Sequence, residues 1–239
     1  MREPSPMAGD NNLGVTVTRT LIPNLPPSYL SRRHLFPLIE NQSGGTTFVI
    51  APPGYGKTTL ISEWAQNQSK GVIWLTVANG DTTHEMSAML IAATRRVIPH
   101  FAPWFERDQP IRPTEVVRRW GNDLLATGAE YVFVLDNLRS PENEDVDIAV
   151  KLIEQFPGNI HFVAIRSNEL AAIYGICASR GPIKALSVQD LRFTDSEIKQ
   201  LAHNSGLEVT SDVMEMLRAG AGWAAATSLL IAHLQAKGE

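Results

Sequence analysis

The apolar run Thr47-Phe48-Val49-Ile50 passes directly into Ala51-Pro52-Pro53-Gly54-Tyr55-Gly56-Lys57-Thr58-Thr59. A strand feeding a glycine loop and then a helical pattern constrains this chain more than any other stretch. The clustered negative charge of a triphosphate is best held by several backbone N–H groups converging at a helix start. Gly54 and Gly56 supply the backbone freedom such a loop needs. Lys57 is spaced to reach the β and γ phosphates as a point charge, and the Thr58 hydroxyl to ligate Mg²⁺. The segment fits G-x-x-x-x-G-K-[ST] at every position but the first, where Ala51 stands for glycine. Pro53 removes one potential N–H donor and stiffens the loop. The competing reading is a Gly/Pro turn with an incidental lysine. The strand before the loop and the helical pattern through Glu63-Trp64-Ala65 after it favour a phosphate loop.

Four further apolar runs read as strands: Gly71 to Val77, Tyr131 to Leu135, Ile160 to Ile165 and Ile183 to Ser187. Helical patterns alternate with them. Thr82-x-x-Glu85 is a capping-box signature, followed on one face by Met86, Met89, Leu90, Ala93 and Val97. Glu115 to Ala126 places Val116, Trp120 and Leu124 in register, and Asp145 to Phe156 does the same for Ile148, Leu152 and Ile153 or Phe156. Alternation of this kind predicts a mostly parallel sheet covered on both faces, which is also why runs such as Tyr131-Val132-Phe133-Val134-Leu135 are continuously apolar. After residue 188 only helical patterns remain. They begin with a second capping box, Thr194-x-x-Glu197, and continue at Ser211 to Arg218 and Ala224 to Ala236. At the other end, the first fourteen residues read as a flexible tail. Leu21-Ile22-Pro23-Asn24-Leu25-Pro26-Pro27 reads as an extended arm, and a short helix starts at Ser31-Arg32-Arg33-His34-Leu35.

A chain of 239 residues with 44% hydrophobic content can hold one large α/β domain, or that domain plus a small appendage. The net charge of −4 and pI near 5.9 give no global case for a nucleic-acid surface. The single Cys177 allows no internal disulfide, and no apolar run approaches the roughly 20 residues of a membrane span. A cytoplasmic protein is the simplest expectation, with no membrane partner. The histidines show no metal-ligand spacing. Trp104, Trp120 and Trp223 read as packing residues, and Cys177 as a structural thiol.

Asp136 closes the run Tyr131 to Leu135, and ligands gather at the carboxyl ends of parallel strands. Either it organises Mg²⁺ as a Walker B carboxylate, or it ends the strand in a turn with Asn137. The phosphate loop upstream favours the first. Asn137 stands where many ATPases carry a second carboxylate, and an amide cannot serve as a general base. Hydrolysis is therefore expected to be slow unless another group completes the site, with Asn137→Asp raising it if that carboxylate is limiting. Arg166, ending His161-Phe162-Val163-Ala164-Ile165, either senses a γ-phosphate or caps the strand in solvent.

Together these residues resemble the nucleotide-binding module of the STAND class of P-loop ATPases, in particular the large ATP-binding LuxR-type transcriptional regulators of the maltotriose-responsive kind. The resemblance covers roughly residues 20 to 235. It rests on Arg32-Arg33-His34-Leu35 behind the proline arm, on residues 51 to 59, and on Trp64. Further on it takes in Trp74-Leu75-Thr76 with Asp81, Leu135-Asp136-Asn137, Arg166-Ser167, Asp190-Leu191-Arg192-Phe193 and Gly222-Trp223. Departures fall at Pro53, Ala78, Asn137 and Ala224, the last replacing a proline that in relatives helps contact nucleotide. The resemblance implies an α/β P-loop NTPase fold of the ASCE/AAA-like kind, with a parallel five-stranded sheet, flanking helices and a small all-helical domain. The expected division is a tail at 1–20, a nucleotide-binding domain with its arm at 21–188, and a helical domain at 189–239, from either a fragment of a longer regulator or a reduced relative.

The implied cofactors are ATP/ADP and Mg²⁺. Catalytic roles fall to Lys57, Asp136 and Arg166. Nucleotide contacts fall to Pro53, Gly54, Tyr55, Gly56, Lys57, Thr58, Thr59 and Arg32, and metal contacts to Thr58 and Asp136. The resulting expectation is an ATP/ADP switch module with weak ATPase activity, in a regulator that self-associates or carries additional domains. The alternative is a conventional ATPase or small-molecule kinase, for which Arg95-Arg96 and Arg118-Arg119 are the adjacent arginine pairs beyond Arg32-Arg33. Ser196 to Arg218 mimics a helix-turn-helix around Gly206. Its second helix carries Asp212 and Glu215 against only Arg218, so direct DNA binding is not expected.

Overall fold

The computed structural model describes residues 13, 15–78, 80–106, 111–138, 147–168 and 171–237, the side chains of 147–150, 171–173 and 237 excepted. One sheet contains β1 (Thr46–Ile50), β2 (Gly71–Thr76), β3 (Tyr131–Leu138), β4 (Ile160–Arg166) and β5 (Ile183–Leu186) in the order β2-β3-β4-β1-β5, every pair parallel. The described α-helices are α1 (Phe36–Ile39), α2 (Lys57–Gln66), α3 (Thr83–Val97), α4 (Pro113–Ala126), α5 (Asp147–Gln155), α6 (Ala171–Ala178), α7 (Val188–Leu191), α8 (Asp195–Asn204), α9 (Ser211–Arg218) and α10 (Ala224–Lys237), with 3₁₀ turns at Val17–Thr20 and Arg33–Leu35.

The continuous apolar runs divide by parity between the two faces of the sheet. Phe48, Ile50, Ile73, Leu75, Phe133, Leu135, Phe162 and Ala164 join one core with α3, α4 and α5. Val49, Trp74, Val132, Val134, Val163 and Ile165 join the other with α1 and α2. The inner strands β1 and β4 are buried throughout, whereas the edge strand β5 is exposed at Lys184 and Ala185. Both expected capping boxes form, at Thr82/Glu85 and at Thr194/Glu197. Helix α3 is buried from Met86 to Thr94 without interruption, because it lies between the sheet and α4 and α5, so the single-face pattern understated its burial.

Three differences from the sequence reading have physical causes. Leu13 is buried in the larger core, and residues 15–20 pack where the reading placed a tail. Arg19 donates to Thr76 O and pairs with Asp81, while Arg96 Nε donates to Thr20 Oγ1. The remaining tail residues 1–12 and 14, like Asp145 and the Ile148 side chain, lie outside the described residues. Two helices, α6 and α7, are additional to those read from the pattern. Strand β3 runs on to Leu138 through an irregularity opposite β4 between Leu135 and Leu138, where Asn137 has φ 63°.

Beyond residue 190 a third cluster forms from Ile198, Leu201, Ala202, Leu207, Val213, Met214, Leu217, Ile231 and Leu234, with Leu30 of the arm inserted among them. No described helix is long and apolar enough to cross a membrane.

Candidate functional site

The loop between β1 and α2 sits at the carboxyl edge of the sheet, where ligands of open α/β folds gather. Its shape follows from Gly54 and Gly56, with φ of 83° and 74°, which a side chain would strain. Helix α2 begins at Lys57, so the free N–H groups of its first turn face the loop. Lys57 is 9% exposed and donates from Nζ to Ala51 O at 2.7 Å and Pro52 O at 2.9 Å. Burial pulls its ammonium below the ordinary lysine value, and the Asp136 carboxylate opposes this only in part.

Strand order brings the other residues in. Because β4 lies between β1 and β3, the ends of all three strands converge on the loop. Thr58 Oγ1 is 3.3 Å from both carboxylate oxygens of Asp136, which is 6% exposed. Burial raises the Asp136 carboxyl above its ordinary value, opposed by the Thr58 hydroxyl, the Asn137 backbone and Lys57. Arg166 ends β4 in register with Ile50 and Leu138, and its carbonyl accepts from Ala51 N at 3.3 Å. The Arg166 side chain is 1% exposed. Its Nε donates to Asn168 O at 3.1 Å, while Nη1 and Nη2 have no partner among the described residues. Burial lowers its affinity for the proton.

Two buried guanidinium NH₂ groups without acceptors among the described residues are costly, and their chemistry suits oxyanions. Thr58 and Asp136 are the residues that would hold a divalent cation with phosphate oxygens, since Mg²⁺ is normally held by one or two protein oxygens with phosphate and water. Among the described residues there is no cluster of three or more His, Cys, Asp or Glu side chains to form an all-protein cage.

Three residues take places that the sequence reading did not give them. Arg32, expected at the nucleotide, is occupied at the helical segment: it donates to Glu197 Oε1 at 2.6 Å and to Leu191 O at 2.9 Å, and lies 5.1 Å from the Phe193 ring centre. Its backbone N–H bonds Glu63 of α2, tying the arm to the helix that carries Lys57. The Asn137 side chain is engaged at the neighbouring strand, donating from Nδ2 to Val77 O at 2.9 Å. Trp223, expected to be packing, is 41% exposed and lies on the phosphate loop, its indole N–H 3.1 Å from Pro53 O. Beside it Ala225 N donates to Gly54 O at 2.9 Å, and a side chain on Gly54 would meet Trp223 and Ala225 at under 3 Å. Gly222-Trp223 was the one sequence signal for this contact.

No protein-family model matches the chain. Its structure is similar to a signal transduction ATPase with numerous domains (STAND) carrying a tetratricopeptide repeat sensor, from Pyrococcus horikoshii. The TM-score is 0.60 at 15% identity, over 84% of this chain and 29% of that one. It is also similar to Cdc6p from Pyrobaculum aerophilum, with a TM-score of 0.55 at 14% identity over 94% of this chain and 67% of the other. The Orc1 protein of Aeropyrum pernix, solved in complex with DNA, gives 0.54 at 15% identity, over 90% and 62%. The fold is that of the P-loop NTPases. The chain spans under a third of the length of the Pyrococcus protein.

Proposed function

We propose that this chain is an ATP/ADP-binding switch module with slow hydrolysis, belonging to a signal-responsive transcriptional regulator of the LuxR type. The observation that carries nucleotide binding is the glycine loop between β1 and α2 with Thr58 3.3 Å from the Asp136 carboxylate and Lys57 buried beside the loop; Arg166, whose Nη atoms have no partner among the described residues, ends the neighbouring strand. An Mg²⁺-nucleotide supplies the anionic oxygens that such groups require. The chain's own residues do the rest. The loop and the start of α2 would present N–H groups, Lys57 would hold phosphate oxygens, Thr58 and Asp136 would hold the cation, and Arg166 would neutralise the terminal phosphoryl.

Slow turnover follows from Asn137, whose amide is occupied at Val77 and offers no base. The switch reading is supported by residues 223–225 lying on the loop, since a nucleotide that binds the docked and released arrangements unequally shifts their populations. The regulator reading rests on the motif resemblance. The kinase alternative loses its best residues: Arg118 and Arg119 both pair with Glu115, Arg95 binds the carbonyls of Phe101 and Ala102, and Arg96 binds Thr20.

Equilibrium binding of ATP and ADP with Mg²⁺, compared between wild type and Lys57→Ala, tests the reading. Wild type should bind, and Lys57→Ala should weaken binding at least about a hundredfold, the value of a lost charge-assisted contact at the upper end of its range. A wild-type chain that binds neither nucleotide sinks it.

A further inference from the structure

The first four carbonyls of the phosphate loop are all engaged, by two different parts of the molecule. Lys57 takes those of Ala51 and Pro52. The segment at the start of α10 takes the next two, with the Trp223 indole on Pro53 O and the Ala225 amide on Gly54 O. The division is chemically unequal. The peptides carrying the Ala51 and Pro52 carbonyls end at Pro52 and Pro53, which have no N–H, so Lys57 grips two peptides that offer an anion nothing. The peptides carrying the Pro53 and Gly54 carbonyls end at the N–H groups of Gly54 and Tyr55, the first backbone donors of the loop after that of Ala51, which is taken by Arg166 O.

A trans peptide is planar, with its N–H opposite its C=O, and every described peptide is trans. Anchoring the Pro53 and Gly54 carbonyls on one side therefore aims the Gly54 and Tyr55 N–H groups to the other. Gly54, at φ 83°, has no side chain to hold this orientation by itself. The anchor is itself well fixed. Gly222 O accepts from Phe193 N at 2.9 Å, and a side chain on Gly222 would meet Phe193 O at 2.7 Å, so Trp223 is delivered from a close backbone contact with the end of the α7 segment. The Trp223 and Tyr55 rings lie 6.4 Å apart at 35°.

We propose that Trp223 and Ala225 are positioning residues for anion binding by the loop. They orient the Gly54 and Tyr55 N–H groups toward the phosphates from outside the loop, so that release of the 222–225 segment lowers nucleotide affinity. The inference rests on the nucleotide-binding reading above and adds to it the element that sets affinity. With two prolines in the loop, these donors are preorganised from a segment about 170 residues away in sequence.

The test uses the full chain, with ADP and Mg²⁺ as the probe. Trp223→Phe keeps a ring near Tyr55 and deletes one donor. Ala225→Pro deletes the other within the first turn of α10, where proline is tolerated. Each should weaken ADP binding by about threefold to tenfold, the value of one hydrogen bond. The melting temperature of the nucleotide-free chain should change little, because Trp223 is partly exposed and water can rehydrate the Pro53 carbonyl that loses its donor. ADP should also change the tryptophan emission of wild type, and Trp223→Phe should abolish that change. Unaltered ADP affinity in both variants overturns the inference while leaving nucleotide binding intact, and so does a lowered melting temperature with unaltered affinity. A wild-type chain that fails to bind ADP overturns both.

Discussion

Two buried arginines sit at opposite ends of the same chemistry. Arg32, 6% exposed, is saturated: a carboxylate, three backbone carbonyls and an aromatic face surround it. Arg166, 1% exposed, bonds one carbonyl and leaves two nitrogens without partners among the described residues. A buried charge satisfied from within the protein organises structure, because removing its partner leaves an uncompensated ion. A buried charge left unsatisfied costs stability and is retained where something from outside completes it. Arginines in motif-like positions therefore diverge in role according to what the fold places opposite them.

The sharpest way to break this contrast is to remove the partner of Arg32. Glu197→Ala should cost about 3–5 kcal/mol in urea unfolding, the usual effect of stranding one member of a buried ion pair. It also deletes the acceptor in the Thr194 capping box. The pH dependence has a defined sign. Burial pushes the Glu197 carboxyl up, but Thr194 and Arg32 outweigh it and hold the group below its ordinary value of 4.5. A carboxyl with a depressed folded-state pKa contributes stability that is fully present above the unfolded value and is lost as pH falls through the folded one. The stability gap between wild type and Glu197→Gln should accordingly be full at neutral pH and shrink below about pH 4.5. A gap independent of pH would mean that the Arg32 contact is not electrostatic.

The counterpart is Arg166→Met. Removing an unsatisfied guanidinium should leave the unfolding free energy of the nucleotide-free chain unchanged or raise it, since a flexible apolar chain of similar length fills the space. Binding of ATP with Mg²⁺ should weaken by about tenfold to a hundredfold, the value of charge-assisted hydrogen bonds to phosphate. A loss of stability comparable to that of Glu197→Ala would place Arg166 with Arg32, as a structural ion.

Much of the sheet was legible because burial on both faces forces unbroken apolar runs, and the two capping boxes marked helix starts with their own hydrogen bonds. The phosphate loop was legible for the same local reason, since strand, glycines, lysine and threonine are contiguous. What escaped depends on distant partners. Arg32 meets Glu197 across 165 residues, and Trp223 meets Pro53 across 170, separations at which no local pattern records the pairing. Residues 15–20 carry no helical or strand period and are ordered instead by Arg19 on Thr76 and Asp81. Helix α6, Ala-Ala-Ile-Tyr-Gly-Ile-Cys-Ala, lacks the polar face that would have announced a helix.

Asn137 carries the smallest expected effect, and it separates two explanations of slow hydrolysis. From sequence it looks like a missing carboxylate, so that Asn137→Asp should raise turnover. In the fold Asn137 occupies the left-handed region at φ 63°, which asparagine tolerates better than most residues, and its amide donates to Val77 O at the end of β2. An aspartate keeps the backbone preference but replaces the donor with a charge facing a carbonyl. Asn137→Gly keeps the backbone freedom and loses only the hydrogen bond, so it should cost about 1 kcal/mol in urea unfolding. Asn137→Asp should cost at least as much and release phosphate from ATP no faster than wild type, because the new carboxylate starts on the Val77 side of the strand. A rise in phosphate release with Asn137→Asp would show that the side chain swings into the site, and would return this position to the catalytic role that its place after Asp136 suggests.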